Sequence, residues 1–510
     1  MALSKVTSAG VSGIDGYCVI VEADVSGGLP SFDVVGLADT SIKESKERVR
    51  SGIKNSGFQF KSYKITLNLA PASIKKEGTH YDLPLAVSIL GALGIIEANN
   101  IEQFVVLGEL SLYGDVRGVS GVLPMVDKLK KLGFSNIIVP YENRNEACLV
   151  EGLNIYPVKN LKETVDLINN KENYSPYLSN KNYFEDTQKI FLDFADVQGQ
   201  EMAKRALEIA CAGGHSCLMV GSPGSGKTML SKRVPYILPS LTHSEAIDVT
   251  KLYSVSGLVT DETPLVTKRP FRTIHHTAST VSLVGGGSKA MPGEVSLAHN
   301  GVLFMDELPE FKRSTLEVLR QPLEDKEVTV TRVSKSATYP CNFMVIAAMN
   351  PCPCGYMGAE NKECKCSLDE IRRYQKKISG PLMDRIDLQI EVPAVKYKDL
   401  ASNEHGESSE DIKKRVVKAR KLQYERYKDE GITTNSQLTT PMIEKYLKIS
   451  EDGQQLLEFA FDKLSLSARG YTKIIKVART IADLEGAEEI KQQHIAEAIG
   501  YRDISEKYFS

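Results

Sequence analysis

Gly221-Ser222-Pro223-Gly224-Ser225-Gly226-Lys227-Thr228 fits G-x-x-x-x-G-K-[ST], between an apolar run at 217–220 and a stretch read as a helix over 228–234. Glycines there let backbone N–H groups curl around phosphate oxygens, and the helix start adds a favourable dipole. Lys227 neutralises the β- and γ-phosphates, and Thr228 offers its hydroxyl to Mg2+, so the expected ligands are ATP and Mg2+. A second apolar run, 302–305, ends in Asp306-Glu307. Asp306 is the expected partner of the metal, and Glu307 the group that polarises an attacking water. A third run, 343–349, ends in Asn350. Its amide is placed to orient that water, although an Asn after a strand is also a common turn former. Gly380-Pro-Leu-Met-Asp-Arg385 carries an arginine able to reach a γ-phosphate held by a neighbouring subunit. An exposed arginine is otherwise a solubility residue.

Cys352-Pro-Cys354 and Cys364-Lys-Cys366 form two close pairs. Four soft ligands suit a tetrahedral structural Zn2+, with C-x-C tighter than the commoner C-x2-C. Four free or redox-active thiols, or an Fe–S cluster, are the alternatives. The other five of the nine cysteines stand singly among apolar residues. That distribution favours reduced thiols plus one metal site over a disulfide framework.

These groups need elements to hold them. Nearly continuous apolar runs mark strands buried on both faces of a parallel sheet, with ligands at their carboxyl ends. At ~150 residues per domain, 510 residues amount to about three domains. The fold class is α/β. An amino-terminal α/β domain is expected over 1–165, with strands at 17–21, 64–69, 105–107 and 136–139 and helices over 83–96 and 123–131. A polar linker follows over 166–190, then a P-loop core with a parallel sheet and the four-cysteine insertion over 191–395. A helical lid closes the chain over 396–510, where Tyr471, Ile474, Ile475, Ala478, Ile481 and Ala482 keep helical spacing. With 63 Lys+Arg against 65 Asp+Glu, bulk charge names no partner, so any nucleic-acid surface is local. The longest uncharged apolar run, 83–96, is shorter than the ~20 residues a membrane helix needs. The first residues lack the apolar segment of a signal peptide, so the expectation is a cytoplasmic chain with no membrane partner.

Asp196-Val-Gln-Gly-Gln200, the P-loop, Asp306-Glu307, Asn350, Arg385 and Ser467-Ala-Arg469-Gly, taken as a series, resemble the AAA+ ATPases. More narrowly, Phe271-Arg-Thr-Ile-His-His-Thr, Pro292-Gly-Glu-Val-Ser-Leu-Ala-His-Asn-Gly301 and Asn350-Pro-Cys-Pro-Cys-Gly355 are similar to the magnesium-chelatase-like branch. Within it the chain resembles the ComM/YifB family of competence-related ATPases. The resemblance implies a homo-hexameric ring, with Arg385 acting in trans as a finger and Arg469 in cis as a second sensor. It implies a DNA helicase or translocase that drives branch migration in homologous recombination during natural transformation. DNA would be recognised by structure rather than sequence, with recombination proteins as further partners. The alternative is a chaperone or remodeller of the magnesium-chelatase or Lon-like kind acting on a protein.

Residues 1–165 resemble the proteolytic domain of Lon-type proteases through Lys76-Glu-Gly78 and Gly108-Glu-Leu-Ser-Leu-Tyr-Gly114. Active members use a Ser-Lys dyad. Those positions align here with His80 and Leu123, so the resemblance in fold carries no protease activity. Two insertions in the core, 279–290 with Lys289 and a hairpin at 327–335 with Arg332 and Lys335, are expected to line a pore and touch DNA phosphates. The basic run 413–421 reads equally as a solvated helix face or a nucleic-acid contact. His275 and His276 are read as structural hydrogen-bonding residues.

Overall fold

The computed structural model describes residues 3–60, 63–179, 183, 192–287, 290–332, 335–359, 362–394, 406–463 and 467–502. Two compact units divide the chain: 1–185 with 242–267 and 333–338, and 186–241 with 268–332 and 339–510. Of the linker expected over 166–190, residues 166–169 finish the helix Leu161–Asn169, and 180–182 and 184–190 lie outside the described residues.

The first unit is built on a seven-stranded mixed sheet. Its order is Ser31–Val35, Lys64–Ala70, Asp15–Ser26, Leu3–Ser12, Val105–Val106, Asn136–Pro140, Asn154–Val158. In the long hairpin Val6 pairs with Val21, and Val19, Val21 and Ala23, two residues apart, are all fully buried. The helix Asp82–Ala92 is apolar around its whole circumference and buried almost throughout. It stops short of the expected residue 96 because Gly94, at φ 73°, turns the chain.

Residues 242–267, expected within the core range 191–395, group with this first unit. The helix His243–Val255 begins in a capping box between Thr242 and Glu245. It then supplies what a buried carboxylate needs: the Ser254 hydroxyl donates to Glu146 at 2.5 Å. Glu146 also accepts from the Leu123 N–H at 2.9 Å and the Asn143 amide at 3.1 Å, partners that oppose the upward push of burial on its pKa. Lys251 pairs with Asp127 at 2.8 Å and Arg144 with Asp261 at 2.6 Å.

The second unit holds a five-stranded, wholly parallel sheet. Its order is Phe271–Ile274, Val302–Met305, Met344–Met349, Cys217–Val220, Leu388–Glu391. The three inner strands are buried at every position, as continuous apolar runs require. The two outer strands are less uniformly apolar and carried no such signal. The helices Ser409–Tyr427, Glu451–Lys463, Ala468–Glu485 and Gln492–Gly500 contribute Val416, Leu457, Ile474, Ala478, Ile481 and Ile495 to one core with the sheet residues Cys217 and Leu388. The expected lid, 396–510, is therefore part of the same compact unit as the sheet. In the basic run, Arg415 pairs with Glu208 at 2.5 Å and Arg420 donates to the Cys211 carbonyl at 2.8 Å, so both serve packing. Among the described residues no helix is long and apolar enough to cross a membrane.

Candidate active site

Strand register brings the predicted groups together. Val220 lies beside Met349 in the parallel sheet, so the loop from 221 and Asn350 leave neighbouring strands. The Gly221 N–H donates to the Met349 carbonyl at 3.2 Å. Gly224 at φ 79° and Gly226 at φ 93° occupy left-handed backbone that side chains disfavour. That turn delivers Lys227 to the start of the helix Lys227–Ser231, shorter than the 228–234 expected. The Lys227 ammonium donates to the carbonyls of Gly221 at 2.7 Å and Ser222 at 2.9 Å, with Asn350 Oδ1 at 3.4 Å. Burial lowers its pKa to about 8 against the pull of Asp306.

The Thr228 hydroxyl donates to Asp306 Oδ2 at 2.7 Å. A hydroxyl and a carboxylate are hard oxygen donors of the kind that hold a partly hydrated Mg2+, so the pair fits that ion. The other Asp306 oxygen accepts the Glu307 N–H at 2.9 Å. Glu307 itself sits at φ 50°, with its carboxylate half-exposed and 3.3 Å from His276 Nδ1. Ile274 faces Met305 in register, so His276 and Glu307, each two residues further on, leave the sheet side by side. Of the two histidines read as structural, His275 bonds locally to Thr277 at 2.9 Å, whereas His276 touches the predicted water-polarising group. The parallel pairing was the missing signal. Together the site presents a buried ammonium, a hydroxyl–carboxylate pair and a second, half-exposed carboxylate beside a histidine.

Arg385 follows the short helix Gly380–Met383, and its side chain is only 12% exposed. One nitrogen donates to the Pro381 carbonyl at 2.7 Å and another to the Glu324 carboxylate. Arg469 opens the helix Ala468–Glu485, and it too reaches Glu324, at 3.4 Å. All three residues line a cavity of about 610 Å³. Nothing in the sequence distinguished Glu324 from the surface carboxylates around it. Behind them Asp387 is clasped by Lys473 at 2.7 Å and by His215 Nδ1 at 3.1 Å, while His215 Nε2 meets Thr480 at 2.8 Å.

The four cysteines 352, 354, 364 and 366 converge, with their sulfurs within 4.8 Å of one another and none in a disulfide. Cys352, Cys354 and Cys364 are 3.4 to 3.6 Å apart. A tetrahedral ion with bonds of about 2.3 Å separates its sulfurs by roughly 3.8 Å, so the spacing fits one metal ion. The backbone N–H of Tyr356 draws the Cys354 thiol down to about 6, towards the thiolate that a metal needs.

Lys289 lies outside the described residues, and only the backbones of Arg332 and Lys335 are described, in the strands Glu327–Arg332 and Lys335–Pro340. The 279–290 insertion forms the helix Thr280–Val284 and a two-residue strand, Gly285–Gly286, paired with Met291–Pro292. In the first unit Leu123 is fully buried, and burial lowers the His80 pKa to about 4, so the ring is neutral.

The family described as magnesium chelatase, subunit ChlI, matches residues 193–400, and its C-terminal part matches 406–502. A further ChlI region matches 21–143. The chain is 42% identical over 508 residues to the competence protein ComM of Haemophilus influenzae, covering 98% of each. It is 41% identical over 506 residues to the uncharacterized protein YifB of Salmonella typhimurium, covering 99% of this chain and 98% of that one. Over 160 residues, 29% of this chain and 28% of the relative, it is 31% identical to Lon protease 2 of Bacillus subtilis.

Proposed function

The chain belongs to the magnesium-chelatase ChlI-type AAA+ ATPases of the ComM/YifB kind, and from that premise we propose that it is an ATP-driven hexameric motor on DNA. Its task in this reading is branch migration of incoming DNA during homologous recombination, in the cytoplasm and alongside recombination proteins. What carries the reading is the meeting of Lys227, Thr228, Asp306 and Asn350 at the ends of parallel strands, in a chain similar end to end to a competence protein.

Lys227 holds the β- and γ-phosphates, and the loop 221–226 wraps them with backbone N–H groups. Thr228 and Asp306 hold Mg2+, which neutralises phosphate charge when bound. Asn350 orients the attacking water and Glu307 polarises it. Arg385 comes from the neighbouring subunit to the transferring phosphoryl group. Because Arg469 shares a carboxylate with Arg385, we assign it to that same neighbouring nucleotide, in place of the cis role expected from the sequence. Zn2+ on Cys352, Cys354, Cys364 and Cys366 braces the segment that follows Asn350. Lys289, Arg332 and Lys335 touch DNA phosphates from the pore.

Hydrolysis measured with forked, single-stranded and duplex DNA, against an unfolded protein, tests the load. Stimulation by DNA is expected. Stimulation by the protein alone would move the assignment to a remodeller, the reading that the Lon-like stretch favours.

A further inference from the structure

The two arginines assigned to a neighbour's nucleotide are both held by one carboxylate of their own chain. Glu324 lies in the short helix Arg320–Asp325. One of its oxygens accepts from Arg385 and the other lies 3.4 Å from Arg469. Arg385 is drawn inward by this contact, with its second terminal nitrogen turned back to the Pro381 carbonyl and its Nε buried with no hydrogen-bond partner among the described residues. Arg469 is 59% exposed, and Glu324 52%. The cavity that all three line also carries Lys326, Lys473 and Lys476, against the carboxylates Asp384 and Asp387. Glu324 is thus the anion on which two cationic side chains converge.

An oxyanion between two guanidinium groups is also what a γ-phosphate presents to an arginine finger and a sensor arginine. A guanidinium turned back onto its own helix and its own carboxylate cannot reach across a subunit boundary until that carboxylate lets go. We propose that Glu324 is a positioning residue that stands in for the neighbour's phosphate, holding Arg385 and Arg469 together until assembly brings the competing phosphoryl group. The proposal rests on the reading of Arg385 as a trans finger. It goes beyond that reading by naming the group that restrains the finger, and it makes the onset of hydrolysis an exchange of one anion for another. The Glu324 carboxylate is half-exposed, and ion pairs open to solvent are weak, so the latch is reversible.

The test follows ATP hydrolysis against protein concentration for the full-length chain, Glu324→Gln, Arg385→Ala and the double variant. Association is followed in parallel by sedimentation velocity, and folding by thermal melting. Glutamine keeps the shape of Glu324 and removes its charge. Half-maximal hydrolysis of Glu324→Gln is expected at about threefold lower protein concentration than the parent, the scale on which ion pairs to a half-exposed carboxylate act. A matching gain in association is expected by sedimentation velocity, and it should vanish in the Arg385→Ala background, where association stays readable although hydrolysis is lost, because the latch acts through that arginine. A superimposed curve, a shift to higher concentration, a loss of hydrolysis or a gain that survives in the double variant each overturns the latch. If Arg385→Ala is dead while Glu324→Gln is unshifted, the latch alone fails. If Arg385→Ala hydrolyses like the parent while still associating, the finger reading fails, and the latch with it.

Discussion

Gly355 of the cysteine knuckle lies directly against Pro223 of the phosphate loop: a β-carbon built on Gly355 would fall 2.6 Å from Pro223 Cδ and 2.7 Å from its Cγ. Gly355 also sits at φ 84°, where side chains are strained. The knuckle therefore backs the loop that must wrap a polyphosphate. Gly355→Ala is expected to push Pro223 out of place and weaken ATP binding about tenfold, with the metal content of the protein unchanged. Nucleotide titration beside metal analysis checks this, and parental affinity would show that the contact is idle.

The same contact would confine the role of a metal on the four cysteines to this neighbourhood. One Zn2+ per chain is expected on elemental analysis of purified protein. Structural zinc contributes on the order of 10 kcal/mol in small zinc-finger peptides, where it organises the whole fold. Here the core of the second unit is built from the sheet and the lid helices. Cys354→Ser should therefore lower hydrolysis more than it lowers the melting temperature. A metal-free protein with full activity would rule the centre out.

Lys227 predicts a pH dependence. Its folded pKa of about 8 lies below the ordinary lysine value of 10.5, so between these values the unfolded chain binds more protons than the folded one. Nucleotide-free stability accordingly rises with pH across that window, as the buried ammonium is relieved of its charge. Phosphate binding has the opposite need, because it requires the ammonium. ATP affinity should be flat below pH 8 and fall about tenfold per unit above it, with proton uptake on binding seen by calorimetry in buffers of different ionisation heat. Lys227→Arg should abolish that slope. Glu307→Gln should bind ATP with the parent's pH profile yet lose about 10²- to 10⁴-fold in turnover, the usual scale for a group that moves a proton.

Mixing Arg385→Ala chains with Lys227→Ala chains creates some interfaces with both defects and some with neither. If Arg385 acts across the boundary, the intact interfaces should restore part of the hydrolysis that neither variant shows alone. An arginine finger is worth about 10³ to 10⁵ in rate, so even a minority of repaired interfaces is measurable. A mixture as dead as its components, while still forming rings, would remove Arg385 from that role.

What could be read from the sequence was what depends on neighbours along the chain. Lys227, Thr228 and Asp306 each follow an unbroken apolar strand, so type and place coincided, and the cysteine pairs declared themselves by spacing. Glu324 and His276 did not, because their meaning lies in partners 61 and 31 residues away: Arg385 for one, Glu307 for the other. A glutamate in a charged helix and a histidine after a strand look ordinary until the fold supplies those partners. Residues 242–267 were assigned to the core for the same reason. Their attachment to the first unit runs through Glu146, Asp127 and Arg144, and no local pattern announces those partners.

Asp387 shows how the sheet and the lid are bound into one body. It opens the strand Leu388–Glu391, yet it is gripped by Lys473 of the helix Ala468–Glu485 and by His215, which itself bonds Thr480 of that helix. Burial alone would raise its pKa, but the Lys473 ammonium and the His215 ring outweigh burial and hold the carboxyl well below the usual range. Burial in turn lowers Lys473 to about 8, with Asp387 resisting the fall. Because the folded carboxyl pKa is depressed, the stability it contributes is present above the ordinary aspartate value and is lost as pH falls below it. Asp387→Asn keeps the volume and leaves Lys473 buried without its counter-charge. Breaking one side of a buried pair costs about 3–5 kcal/mol. The variant should therefore melt several degrees lower than the parent at pH 7. The difference should narrow as pH rises towards 8 and stay level beyond it, because without the pull of Asp387 the buried Lys473 sheds its proton below the value of about 8 that it keeps in the parent. An equal deficit at pH 6 and pH 9 would mean that Asp387 acts through hydrogen bonds to His215 and not through charge.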